Sequence, residues 1–259
     1  MAQKTLAQNN SVNVTTNRVG NSLKIVAYND NPHSITLTVN ISGSNFKPRK
    51  HLPVQVVLSA KSKETVLSVD KKNENEGLQV SISSEWVVGN VNASHDDSYV
   101  YRLPYQNNQS FKVGQSHNGS FSHTGNWQYS IDFMMPTGTP ILAARGGVVA
   151  RTEEGYSEGG PSKEYEDKAN YIYIEHADGT FGEYAHLQRN GVLVNPGTRV
   201  QKGQVIGISG NTGFSSGPHL HFSVSRVISG GSYRSLPVKI KTSKGVFVRL
   251  QKGVEYTPR

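Results

Sequence analysis

The sequence predicts a mostly β protein, with an N-terminal β-sandwich followed by a second strand-built half. Three observations lead there. Apolar and polar residues alternate at period two through much of the chain. Gly (26 residues), with many Asn, Ser and Pro, punctuates those runs. The hydrophobic (35%) and charged (18%) fractions are both low for a compact helical protein. A chain of 259 residues has room for one large or two ordinary domains.

The first half runs from residue 12 to about residue 90. "SLKIVAYND" places Leu23, Ile25 and Ala27 on one face, and "SITLTVNIS" alternates Ile35, Leu37, Val39 and Ile41 with polar residues. "PVQVVLSA", "TVLSVD" and "LQVSISSEW" follow at similar spacing. Short alternating strands separated by turn residues are the pattern of a β-sandwich. His33, His51 and His95 stand isolated among turn residues and read as plain surface histidines. A polar stretch, "NVNASHDDSYVYRLPYQNNQSFKVGQ", reads as a linker, and the division is set at residues 1–98 and 99–259.

In the second half, "TPILAARGGVVARTE", "NYIYIEHADGTFGEYAHL", "VLVNPGTRVQKGQVIGISG" and "GPHLHFSVSR" again read as strands. Asp178-Gly179 is a hairpin turn between two alternating runs. Residues 152–170 have almost no aliphatic side chains; a polar loop of that length is functional or mobile. There is no cysteine, which excludes disulfides, thiol catalysis and cysteine-ligated zinc. No stretch approaches the length of a membrane span. The net charge of +8 favours polyanionic partners, although the positive residues are scattered.

Chemistry concentrates in three places. His219 and His221 in "GPHLHFSV" are two apart, so on a strand both point to one face while Leu220 and Phe222 face the core. Paired imidazoles suit a metal or a proton relay. His186 stands near the end of a hairpin strand, with Tyr184 two before it on the same face. Asp132 in "YSIDFM" is an acid inside an apolar run, and a buried carboxylate needs a partner that a cation can supply. One Asp, the His pair, His186 and one upstream His form a nitrogen and oxygen donor set typical of Zn2+. There is no H-E-x-x-H helix, so the pattern is not that of a zincin.

"IDFMMPTGTPILAARGGVV", "NYIYIEHADGTFGEYAHL" and "SGNTGFSSGPHLHF", in that order, closely resemble the lysostaphin-like (LytM-type) zinc metallopeptidases of peptidoglycan. The resemblance covers about residues 100–240 and implies an antiparallel β-sheet peptidase domain. In that family a His and an Asp in H-x-x-x-D, with the second His of H-x-H, hold the metal. The first His of H-x-H and the His of Y-x-H-L are catalytic. Carried over, Asp132 and His221 match metal ligands, and His219 and His186 match the catalytic pair.

One position departs: Gln128 stands where the family has its first His, and a neutral amide is a poor zinc ligand. Either the site is degenerate, as in inactive members that activate cell-wall amidases, or the histidine has moved outward to His123. The second reading is favoured, because Thr124-Gly125-Asn126 forms a turn that can fold His123 back to the level of Asp132. His117 is the next candidate, and His176 is taken as structural. The resemblance then implies zinc on His123, Asp132 and His221, with His219 and His186 serving a metal-activated water that cuts peptide bonds in peptidoglycan. The glycines Gly210, Gly213 and Gly217 are expected to admit a substrate backbone, and the 152–170 loop to border the cleft. The start "MAQKTLAQNNS" has no apolar signal-peptide core. The peptidoglycan substrate that the resemblance implies sets the expected location as periplasmic or secreted, with the signal peptide absent from this chain. No nucleic-acid partner is expected. The alternatives are a catalytically inactive envelope protein that binds an amidase, and a binding sandwich with the second half as scaffold.

Overall fold

The structure is a computed structural model that describes residues 11–228 and 231–259. The described residues divide into two compact units, residues 11–92 and the residues from 93 to 259.

The first unit carries β1 (Val12–Val19), β2 (Ser22–Asn29), β3 (Ile35–Ser44), β4 (Phe46–Pro48), β5 (Val54–Leu58), β6 (Ser62–Lys71) and β7 (Gln79–Val88). Two antiparallel sheets, β1-β2-β6-β4 and β5-β3-β7, enclose one apolar cluster. Ile25 and Ala27 of β2 and Leu67 and Val69 of β6 meet Ile35, Leu37 and Val39 of β3 there. The period-two pattern thus sets which face each strand buries. His33 is not a surface residue: it is buried in the β2–β3 turn, and its Nδ1 bonds the Ser34 carbonyl at 2.9 Å. Buried Asn29 holds that turn, donating to the carbonyls of His33 and Ser59.

The second unit carries β8 (Val100–Arg102), β9 (Phe111–Gln115), β10 (Ile131–Met134), β11 (Pro140–Leu142), β12 (Gly147–Glu153), β13 (Gly159–Gly160), β14 (Asn170–Glu175) and β15 (Phe181–Val192). There follow β16 (Arg199–Val200), β17 (Val205–Ser209), β18 (Gly213–Phe214), β19 (His219–Val227), β20 (Tyr233–Ser235), β21 (Lys239–Thr242), β22 (Gly245–Phe247) and β23 (Glu255–Tyr256). Its main sheet runs β16-β12-β14-β15-β19-β10-β9-β23. One face buries Ile172, Tyr184, Phe222, Leu220 and Phe133 in a common core. The hairpin at Asp178-Gly179 joins β14 to β15, with Gly179 in the left-handed region at φ +79°. Among the described residues no helix is long and apolar enough to cross a membrane.

The segment expected to be a polar linker is anchored in the core at several points. Tyr101, Leu103, Tyr105 and Val113 are fully buried, and β8 pairs with β21. Its polarity lies in the turns between these anchors. His95, expected at the surface, stacks on Tyr101 with ring centroids 6.1 Å apart, and its side chain is 8% exposed. The same corner holds a buried ion pair, Arg145 Nη1 to Asp178 Oδ2 at 2.7 Å, with the guanidinium 4.2 Å from the Tyr99 ring centre.

His176 is buried beside this cluster and donates from Nδ1 to the Gly146 carbonyl at 3.0 Å. Its role is packing: a Cβ on Gly182 would stand 3.0 Å from its Nε2. Burial, with the Arg145 cation adding to it, holds this imidazole down at about 4. The unfolded chain therefore takes up a proton near pH 6.5 that the folded chain refuses until about pH 4. Stability from this group is full above pH 6.5 and declines as pH falls toward 4, by about 1.4 kcal/mol per pH unit at most. A His176→Gln variant should lose one proton's worth of that decline in denaturant titrations at pH 7 and pH 5. An unchanged difference between the two pH values would contradict this.

Candidate metal centre

The other face of the main sheet carries the polar cluster. β10 and β19 pair with Asp132 opposite His221 and Met134 opposite His219. Because β19 is regular there, His219 and His221 share a face while Leu220 and Phe222 are fully buried on the other. Donor atoms of His123, Asp132 and His221 lie within 4.8 Å of one another, and all three residues are buried. Asp132 Oδ1 stands 2.9 Å from His221 Nδ1, 3.1 Å from His123 Nε2 and 3.7 Å from His219 Nε2.

His123 reaches the cluster through a short excursion between β9 and β10. A 3-10 turn at Gly125–Trp127, with Gly125 at φ +56°, reverses the chain after it. Gln128 caps that turn, and its carbonyl accepts the Asn118 amide at 2.7 Å. Trp127 lines the cleft in its place, its ring 6.1 Å from that of His221. His117, the second candidate, is buried but lies outside the trio. Burial, with Arg249 and His123 nearby, holds its pKa down at about 4.

His186 joins the cluster by an irregularity. In the β14–β15 ladder Tyr171 faces Ala185 and Asn170 faces Leu187, so His186 is the extra residue of a bulge, at φ +65°. Bulges re-aim side chains. Tyr184 and His186 therefore do not share a face as expected. Tyr184 is fully buried in the core and accepts the Ala144 amide at 2.7 Å, whereas His186 lines the cleft. Its ring centre is 4.5 Å from that of His219. Its Nδ1 donates to the Thr212 carbonyl at 2.6 Å, which leaves Nε2 for the cleft. Burial, with His219 and His221 adding to it, holds the His186 pKa down at about 3. Asn170 and Thr212 brace the bulge, both donating to the Leu187 carbonyl.

The donor set fits a small divalent cation. His123 commits Nδ1–H to the Ser116 carbonyl at 3.0 Å, so a neutral ring turns a bare lone pair toward Asp132. Two lone pairs at 3.1 Å need a proton or a cation between them. Zn2+ at about 2.0–2.1 Å from tetrahedral ligands spaces those ligands roughly 3.3 Å apart, close to the separations here. The carbonyl behind His123 is the outer partner that a metal-bound imidazole requires. Burial alone would raise the Asp132 carboxyl. The hydrogen bonds from His123 and His221, with the charge of His221 and His219, hold it well below the usual carboxylate range. Burial likewise lowers His221, but Asp132 reverses this and the net shift is upward.

A cleft of about 1270 Å³ opens over the cluster. Phe121 and Phe214 stack in one wall at 5.1 Å, and Lys163 and Glu166 of the 152–170 loop line it. The glycines behave differently from expectation. A Cβ on Gly210 would stand 2.3 Å from the Gln188 amide nitrogen, and one on Gly213 2.6 Å from the Ala169 Cβ. Those two serve close packing of the chain on itself, while Gly217 meets nothing within 4 Å. Two buried residues were not anticipated. Gln115 donates to Asp132 Oδ2 at 3.0 Å, and Glu183 accepts Ser223 Oγ–H at 3.0 Å two pairs along from His221. An amide in "KVGQSH" and an acid in "FGEYAHL" carry no local signal of burial.

The comparisons with known proteins agree with this geometry. Residues 126–234 match peptidase family M23. The peptidoglycan DD-endopeptidase ShyC of Vibrio cholerae is 43% identical over 91 residues, 35% of this chain and 18% of the relative. The peptidoglycan DD-endopeptidase ShyA of the same organism is 34% identical over 115 residues, 44% of this chain and 24% of the relative. Lysostaphin of Staphylococcus simulans is 39% identical over 99 residues, 38% of this chain and 18% of the relative. The matches thus span about a fifth of the length of these relatives. His123 lies just before the matched stretch, so its place beside Asp132 rests on the fold alone. With a His/Asp/His donor set on the strands that the family match covers or adjoins, residues 126–234 carry a match to peptidase family M23 and are similar to the lysostaphin-like (LytM-type) metallopeptidases.

Proposed function

We propose that this protein is a zinc-dependent endopeptidase that hydrolyses peptide bonds in bacterial peptidoglycan. The observation that carries the reading is the convergence of His123, Asp132 and His221 beneath a cleft that also holds His186 and His219. The names of the peptidoglycan endopeptidase relatives support the substrate class, and the net charge of +8 suits an anionic wall polymer. This substrate implies a site of action outside the cytoplasm, periplasmic or secreted. The peptidase is assigned to residues 99–259 and the sandwich to residues 1–98.

In this reading His123, Asp132 and His221 hold Zn2+. When bound, the ion supplies a Lewis acid that acidifies water and polarises the scissile carbonyl. His219 and His186 act on protons and on developing charge. Each has its Nδ1 engaged by a backbone carbonyl, Gly217 at 2.8 Å and Thr212 at 2.6 Å, so each presents Nε2 in a fixed orientation. With Nδ1–H held by Thr212, His186 turns the lone pair of Nε2 to the cleft, the atom that would take a proton from attacking water and return it to the leaving amine. His219 presents Nε2 3.7 Å from Asp132 Oδ1, and once that nitrogen carries a proton it would stabilise negative charge that grows on the carbonyl oxygen. The cleft wall of Phe121 and Phe214 gives the peptide an apolar rest.

Two predictions separate the roles. His186→Ala and His219→Ala should each retain zinc and lose activity on purified sacculi by about a hundredfold or more. His221→Ala should lose both, and an emptied site in His219→Ala would reverse the roles within the H-x-H pair. In a second comparison, His123→Ala should lower zinc content and abolish hydrolysis, while Gln128→Ala should leave both near the parent values. Chelator should stop peptide release from sacculi by the parent protein. Equal release with and without chelator, or zinc lost on changing Gln128 but not His123, would overturn the assignment.

A further inference from the structure

We propose that Gln115 is a positioning residue of this metal centre: it holds Asp132 as a one-oxygen donor and ties to it the segment that carries His123. The proposal rests on the zinc reading of the site. Gln115 ends β9 directly opposite Asp132 of β10, at a point where the register of the pair shifts. Its side chain is buried. The amide nitrogen donates to Asp132 Oδ2 at 3.0 Å and to Ser122 Oγ at 2.9 Å. The amide oxygen accepts the backbone N–H groups of Phe121 at 3.0 Å and Ser122 at 3.2 Å. All four hydrogen-bonding positions of the side chain are therefore used.

This pattern fixes the orientation of the amide. Two backbone N–H groups require an oxygen, so the NH2 group must face the carboxylate. With Oδ2 occupied, Asp132 offers Oδ1 alone toward His123 and His221. A neutral amide leaves the carboxylate its full charge for a cation, which Lys or Arg at this position would cancel. The two accepted amides immediately precede His123, whose own amide donates to the Gly119 carbonyl at 3.0 Å. One side chain thus sets both the angle of the carboxylate and the height of the imidazole beside it. Gly119 is part of the arrangement, because a Cβ there would stand 2.2 Å from Gln115 Cγ.

The test measures Zn2+ affinity of the full chain by competition with a chromophoric chelator, beside the visible absorption of the Co2+-loaded protein. Gln115→Met keeps the volume and removes all four bonds. It should weaken Zn2+ binding by about 10- to 100-fold and alter the Co2+ spectrum, as expected when an outer partner of a ligand is lost. Gly119→Ala leaves Gln115 chemically intact and displaces it, and should change both readings in the same direction even if Gln115→Met fails to fold. In a His123→Ala background the Gln115→Met effect should shrink, because the two act on one arrangement. A residue that only stabilises the fold would lower the unfolding temperature and leave affinity and spectrum unchanged. That result in a folded Gln115→Met or Gly119→Ala variant would overturn the proposal. A parent protein that binds no Zn2+ would instead overturn the zinc reading on which it rests.

Discussion

A single buried carboxylate organises this site. Asp132 lies in the centre of a β-sheet, and a lone ionised group there would carry a heavy desolvation cost. The surrounding chain answers that cost by position. β19 delivers His221 opposite it, β9 delivers Gln115 from the other side, and the excursion before β10 returns His123 to it. Three polar groups on one acid leave its charge intact and concentrate it at one oxygen. The result is stable only with positive charge beside it, which is the property a metal site needs.

Sheet regularity and sheet irregularity share the work of building the cleft. Regular pairing of β10 with β19 places the acid and two histidines on one face with no further device. The third strand could not supply His186 that way, since alternation would turn it into the core beside Tyr184. A bulge at a left-handed residue solves this, with Asn170 and Thr212 bracing the backbone. Non-glycine residues in that conformation are strained, and such strain collects at functional sites. Two imidazoles with one nitrogen each anchored on a carbonyl are then preorganised before any substrate arrives.

Much of this was legible from the residues. The alternation of Ile35, Leu37, Val39 and Ile41 gave β3 its buried face, and the acid inside "YSIDFM" marked a group that needs a partner. The H-x-H pair declared its shared face because β19 is regular. The direction of His186 was hidden, since a bulge at a histidine has no composition of its own. Gln115 was hidden because its partners stand 7 and 17 residues away, and only pairing of β9 with β10 brings them together. The stretch before β9 misled by its polarity: Tyr101, Leu103 and Tyr105 are few, but each is fully buried, and a handful of large anchors suffices to make a polar segment part of a core. His33 and His95 misled in the same way, as polar residues that turns and ring stacking had drawn inward.

The most direct measurement is the position of the ion itself. Crystals of the protein grown with Zn2+, measured on both sides of the zinc absorption edge, would locate it by anomalous scattering without reference to activity. The expected result is one strong peak within about 2.0–2.2 Å of His123 Nε2, Asp132 Oδ1 and a ring nitrogen of His221, with His186 and His219 outside bonding distance. A peak bonded to Gln128 or His117 in place of His123, or no peak in the cleft, would contradict it.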